Sequence, residues 1–244
     1  MTYCVGILVD GGLVFVSDSR TNAGVDQVAT FRKTITYHRP GDRAIALLTS
    51  GNLSITQSVE TLLRRAIEAE DESRSLMQVR SLFDGARAVG GALREIYEYD
   101  GKHLEAHNAD FNAGLILGGQ IKGQPPRLFQ IYAAGNFIEA TPETTFFQIG
   151  ETKYGKPVLD RLISRDTSLT TAAKCALVSF DSTMRSNVSV GMPLDLTCYR
   201  RDAYEFGVTE GIDESSAYFN MIHNEWSAGL ARVFNEVPDP DWEI

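Results

Sequence analysis

The sequence predicts an α+β fold in which two antiparallel sheets pack together under a covering of helices. Three observations carry that expectation. Apolar, β-branched segments come in pairs joined by turn signals, and stretches of helical periodicity separate them. The blocks run strands, two helices, strands, two helices, strand, helix, without the βαβ alternation of a parallel sheet. A chain of 244 residues can bury a sizeable core, and no internal repeat, low-complexity stretch or linker divides it. One domain over residues 1–244 is therefore expected.

The first strand pair is TYCVGILV (2–9) and LVFVSD (13–18), joined by the hairpin signal Asp10-Gly11-Gly12. FRKTITY (31–37) and RAIALLTS (43–50) form a second pair around HRPGD. From Ser50-Gly51 the period changes. Val59, Leu62, Leu63, Ala66 and Ile67 recur at helical spacing, as do Met77, Val79, Leu82, Ala86, Val89 and Leu93, with a junction near EDESRS. Strands return at FNAGLILGGQI (111–121), RLFQIYAAG (127–135), FIEATP and TTFFQIG (144–150). Helices are expected at about 153–164 and 168–186, the second opened by a Ser or Thr cap. PLDLTCYRR (193–201) reads as a strand, and the region near 213–235 as a last helix.

Composition excludes several functions. A net charge of −9 and a pI of 5.0 argue against nucleic acid, whose binding draws on clustered Lys and Arg, and against an anionic membrane surface. Arg64-Arg65 reads as a solvated helix face. No apolar run approaches a membrane span, and no basic region precedes a long apolar stretch at the start, so a cytoplasmic protein is expected. Cys4, Cys175 and Cys198 are odd in number and scattered, which fits a reducing compartment and, for Cys4 and Cys175, small buried hydrophobes. His103 and His107 have i, i+4 spacing but no third ligand, so no metal or cofactor is expected. His223 and Trp226, one turn apart, read as a packing or interface pair, and the acidic residues at 68–72 as a solvated helix end.

The first hairpin fixes some geometry by itself. With the loop at residues 10–12, cross-strand partner numbers sum to about 21–23, which sets Thr2 opposite Ser19, Arg20 or Thr21, with Asp18 a near neighbour. An apolar strand that runs into Ser-Asp-Ser-Arg needs partners for those charges. A capping turn with surface ion pairs would supply them. Lys33 offers another answer, since alternation puts it on one face with Phe31 and Ile35. A lysine so placed snorkels, pairs with a carboxylate, or lowers the pKa of a neighbouring group.

T-x-x-x-G at residues 2–6, D-G-G-L-V-F-V-S-D-S-R at 10–20 and a strand Lys33 resemble the start of proteasome β-type subunits. MTYCVGI…SDSRTNAGVD is more closely similar to the bacterial ancestral β-subunit group, Anbu, and the order of elements agrees along the whole chain. The resemblance implies a four-layer αββα sandwich and an N-terminal-nucleophile hydrolase. Thr2 would attack after loss of Met1, with its own α-amine as proton acceptor, a known variant of the catalytic triad. Lys33 would depress the pKa of the site and Asp18 would hold Lys33. Gly51, in TSGNLS, matches the glycine whose N–H forms the oxyanion hole. Ser189 is retained from the family's Arg-Asp-x-x-Ser-Gly, but Ser186 stands at the Asp position. In the family's Gly-Ser-Gly, Glu151 replaces the serine. Thr21, Phe31, Thr49 and Leu53 would form a moderately apolar substrate pocket.

The expected function is thus hydrolysis of a peptide or small amide bond. An alternative is a proteasome-like scaffold or binding ring with vestigial activity, which the changes at residues 151 and 186 favour. A third is an amidase of the same fold acting on a non-peptide substrate. The group's open, helical ring-like dodecamers imply a homo-oligomer here, with the Trp-containing tail PDPDWEI a candidate contact.

Overall fold

The computed structural model describes residues 2–22, 28–107 and 109–242. Strands β1 (Tyr3–Val9) and β2 (Gly12–Asp18) close around Asp10-Gly11, and their partner numbers sum to 21, as in Cys4 opposite Ser17. A short ribbon of β3 (Arg20–Asn22) and β4 (Val28–Thr30) follows. The second hairpin is β5 (Thr34–Arg39) with β6 (Arg43–Gly51). It continues through β7 (Ala113–Ile121), β8 (Arg127–Ile131) and β9 (Phe137–Glu139) in one antiparallel sheet ordered β5-β6-β7-β8-β9. β10 (Phe146–Gly150), β11 (Leu194–Arg200) and β12 (Val208–Ile212) join the first hairpin in a sheet ordered β10-β1-β2-β11-β12.

The two sheets meet through one set of alternating side chains. Cys4, Leu8, Leu13 and Phe15 pack against Leu48, Ile116 and Leu128 of the opposite sheet. The other set, Tyr3, Val5, Ile7 and Val9, packs against α4 (Lys156–Leu162), α5 (Leu169–Ser186) and α6 (Ala217–Glu236). Helices α1 (Leu53–Glu68) and α2 (Leu82–Ile96) cover the outer face of the second sheet. The result is a four-layer αββα sandwich. A strand buried on both faces carries an unbroken apolar run, which is why β1, β2 and most of β6 show so little polar alternation.

Four details differ from the sequence expectation, each for a local reason. The helix expected to include Met77 and Val79 starts only at Leu82, capped by Ser81. The Arg43 guanidinium donates to the Leu76 and Val79 carbonyls at 3.2 and 3.0 Å and holds that segment as turns. α2 runs on through a π-helical turn, Tyr97–Gly101, into α3 (Lys102–Ala106), where the glycine gives no periodicity signal. β12 went unexpected because VTEGI, an edge strand exposed at four of five positions, has no apolar alternation. Phe31–Lys33 lead into β5 instead of belonging to it. No described helix is long and apolar enough to cross a membrane.

Candidate active site

Thr2, half-buried, stands just before β1, and the start of the sheet fixes it from two sides. The Tyr3 amide donates to Asp18 Oδ1 at 3.0 Å, and the Glu151 amide donates to the Thr2 carbonyl at 2.7 Å. Gly150 makes the second contact possible. Its φ is +81°, and a Cβ there would lie 2.0 Å from the Thr2 carbonyl oxygen, so any side chain would push Thr2 away.

Asp18 is fully buried at the end of β2, and Lys33 Nζ stands 2.9 Å from Asp18 Oδ1. Nζ also donates to the Arg20 carbonyl at 2.5 Å. The segment carrying Lys33 is pinned on both sides by the Thr49 amide donating to the Lys33 carbonyl (2.9 Å) and the Phe31 amide to the Ser19 carbonyl (2.9 Å). Burial pushes the Asp18 carboxyl up to about 6, against the downward pull of Lys33 and of its hydrogen bonds. It is therefore charged at neutral pH and the ion pair is intact there.

Gly51 ends β6 and Asn52 caps α1, its side chain accepting from the Ser54 amide at 3.0 Å. Gly51 has φ +104°, and a Cβ would lie 2.3 Å from the Asn112 carbonyl oxygen. The chain can turn here from strand to helix beside β7 only with glycine. Two cavities meet at Thr2 and Gly51. A small one of about 140 Å³ includes Lys33, Phe31, Thr49 and Leu53 in its wall. A wider one of about 690 Å³ is bordered by Asn112, Gln130, Tyr132, Gln148 and Thr152.

The structure thus brings Thr2, Lys33, Gly51, Phe31, Thr49 and Leu53 to one place, with Asp18 held against Lys33. Thr21 lies on β3 opposite Ala29. Ser186 is not drawn in: it ends α5 with an exposed side chain. Its neighbour Asn187 takes the buried position, donating from Nδ2 to Glu151 Oε2 at 2.9 Å and accepting the Ser189 amide on Oδ1 at 3.0 Å. Glu151 accepts the Lys153 amide on its other oxygen, Oε1, at 2.9 Å. A run of hydrogen bonds therefore links Thr2 through Glu151 and Asn187 to Ser189. Asn187 is the residue that sequence reasoning missed. Asn at a helix C-terminus is a capping signal, but nothing along the chain pairs it with Glu151.

The remaining candidates separate cleanly. Cys4, Cys175 and Cys198 are buried and unpaired, and burial pushes the Cys175 and Cys198 thiols up to about 11. His103 and His107 are exposed, and the described residues contain no group of three or more His, Cys, Asp or Glu able to hold a metal. His223 Nδ1 stands 2.6 Å from Oδ1 of the buried Asp181 on α5, and Trp226 packs at the edge of the helix-side core, so that pair ties α6 down.

A protein-family model described as Proteasome subunit matches residues 2–197. Among solved structures, the chain is similar to Anbu (ancestral beta-subunit) from Yersinia bercovieri, with 47% identity, a TM-score of 0.92, and 100% of each chain covered. It is also similar to the helical assembly of the Anbu complex from Pseudomonas aeruginosa, with 49% identity, a TM-score of 0.92, and 98% of each chain covered. An Anbu (Gly-1) mutant from Hyphomicrobium sp. strain MC1 gives 45% identity and a TM-score of 0.92 over 99% of this chain and 100% of that one. A search of curated proteins finds no match. With a family match over most of the length and these relatives over nearly all of it, the chain belongs to the proteasome subunit family, in its ancestral β-subunit (Anbu) group.

Proposed function

We propose that the protein is a cytoplasmic threonine-type N-terminal-nucleophile hydrolase of peptide or small amide bonds, working as a ring-like or helical homo-oligomer. One observation carries the reading: Thr2 and Gly51 stand where two cavities meet, beside a buried Lys33–Asp18 pair. An amide laid across Thr2 would have its acyl side in one cavity and its leaving side in the other.

Once Met1 is removed, Thr2 Oγ attacks the carbonyl while the α-amine takes the hydroxyl proton. An α-amine has an ordinary pKa of about 7.7–8.0, suited to base work near neutrality, and the Lys33 ammonium disfavours a second cation beside it. Asp18 keeps Lys33 in place. The Gly51 amide, at the strand-to-helix turn, is the donor assigned to the developing oxyanion. Both Glu151 oxygens are already engaged, by the Lys153 amide and the Asn187 side chain, so Glu151 positions Thr2 through its backbone and is not the base.

Intact mass and a threonine-directed electrophile test this reading on wild type and Thr2→Ala. The expected result is a wild-type mass lacking Met1 and one label, absent from Thr2→Ala. Retained Met1, or equal labelling of both, would sink it. The scaffold reading draws support from Glu151 and Ser186, which stand where the family has serine and aspartate, and would be favoured by an assembled ring that no such electrophile labels.

A further inference from the structure

We infer that Glu60 recognises a cationic side chain on the acyl side of the bond at Thr2, so that the site takes peptides or amides of lysine- or arginine-like residues. This rests on the proposed placement of the reacting carbonyl at Thr2.

The small cavity follows α1 away from Thr2. Leu53, Thr56, Gln57 and Glu60 all line it, and their i, i+3, i+4, i+7 spacing puts them on one helix face. At 1.5 Å per residue, Glu60 lies about 10 Å along the axis from Leu53, the end nearest Gly51. The cavity's entrance is therefore lined by Phe31, Thr49 and Leu53, and its far wall carries a carboxylate. Its volume of about 140 Å³ is well below the range of pockets that hold whole small ligands, and suits one extended side chain. Lysine matches that outline, with a four-carbon stem for the apolar entrance and a compact ammonium for the far end.

Glu60 is only half-buried, and among the described residues it makes no hydrogen bond or ion pair. Its charge is free to be met by a ligand. Lys33 and Arg32 also border the cavity, but the Lys33 charge is met by Asp18, and the Arg32 side chain is exposed to solvent, where an ion pair is worth little. A glutamate-like substrate held by Arg32 is the competing outcome.

The test is equilibrium binding by calorimetry to Thr2→Ala, which cannot turn the ligand over. Three short blocked peptide amides would be used, differing only in carrying lysine, norleucine or glutamate. Lysine is expected to bind about tenfold more tightly than norleucine, and Glu60→Gln in the same background to erase the difference. Norleucine or glutamate binding as tightly as lysine, or a lysine preference that survives Glu60→Gln, would overturn the inference. Thermal melting checks that Glu60→Gln is folded, and the lysine-to-norleucine ratio needs no substitution at Glu60. A lysine preference together with wild-type protein that no threonine-directed electrophile labels would keep the cation site and reject the hydrolase reading.

Discussion

On one side of Thr2 lies a desolvated ion pair, Asp18 with Lys33, buried where β2 ends; on the other lies a string of hydrogen bonds from β10 through Glu151 and Asn187 to Ser189. The two respond differently to damage. In the ion pair each charge is tolerable only because of the other, so removing either strands its partner in a dry site. The hydrogen-bond run is divisible, since each link contributes about 1 kcal/mol and Glu151 keeps the Lys153 amide on its other oxygen when Asn187 is lost. The pair is the all-or-none half of the site, and the run is the adjustable half.

Lys33→Ala should break that contrast most severely. It leaves Asp18 buried without its partner, to be held either as an unpaired charge or with a proton taken up, and is expected to cost about 3–5 kcal/mol in urea unfolding. Labelling by a threonine-directed electrophile should slow by about 100-fold or more. A variant within 1 kcal/mol of wild type would show that the pair is not desolvated. Gly150→Ala comes next: the positive φ alone costs about 1–2 kcal/mol, and the displaced Thr2 carbonyl should slow labelling as well. Asn187→Ala should cost about 1–3 kcal/mol by leaving Glu151 Oε2 without its partner, with labelling reduced less than in Lys33→Ala.

Titration separates the two sides in another way. Asp18 is raised from its ordinary 3.8 to about 6, so the folded protein holds that proton more tightly than the unfolded chain does. Its contribution to stability is full below pH 3.8 and is lost as pH rises through about 6. Labelling runs the opposite way, because Lys33 has a charged partner only above that point and the Thr2 amine must shed its proton. Melting temperature measured from pH 4 to pH 6 should thus fall more in wild type than in Asp18→Asn, while the labelling rate of wild type rises. Ser186→Ala, on the exposed end of α5, should change stability by less than about 0.5 kcal/mol and leave labelling alone.

The same division governs what the sequence could reveal. The ion-pair side lies within residues 2–33, where a hairpin with a two-residue loop sets register and brings Thr2 near Asp18. Lys33 lies ahead of β5, so alternation does not place it, and its pairing with Asp18 was legible only through the resemblance to proteasome β-type subunits. Layer order was legible too, because strands buried on both faces and helices with one apolar face leave strong marks. The Glu151–Asn187 contact joins segments 36 residues apart, through two polar side chains that each read as surface. Glu60 was equally silent: a glutamate in an amphipathic helix says nothing until the helix is seen beside a cavity. β12 failed for the opposite reason, being nearly all exposed at a sheet edge.

The anchoring of residue 3 has a practical consequence for anyone making the protein. Strand pairing begins at Tyr3, whose amide is held by Asp18, and the Thr2 carbonyl is held by Glu151, so no slack remains on the C-terminal side of Thr2 to accommodate extra chain. Under the proposed mechanism, anything fused ahead of Thr2 would turn its α-amine into an amide and remove the proton acceptor. An affinity handle therefore belongs at the opposite terminus, beyond the exposed Trp242, and a preparation carrying one at the front is expected to resist labelling by a threonine-directed electrophile.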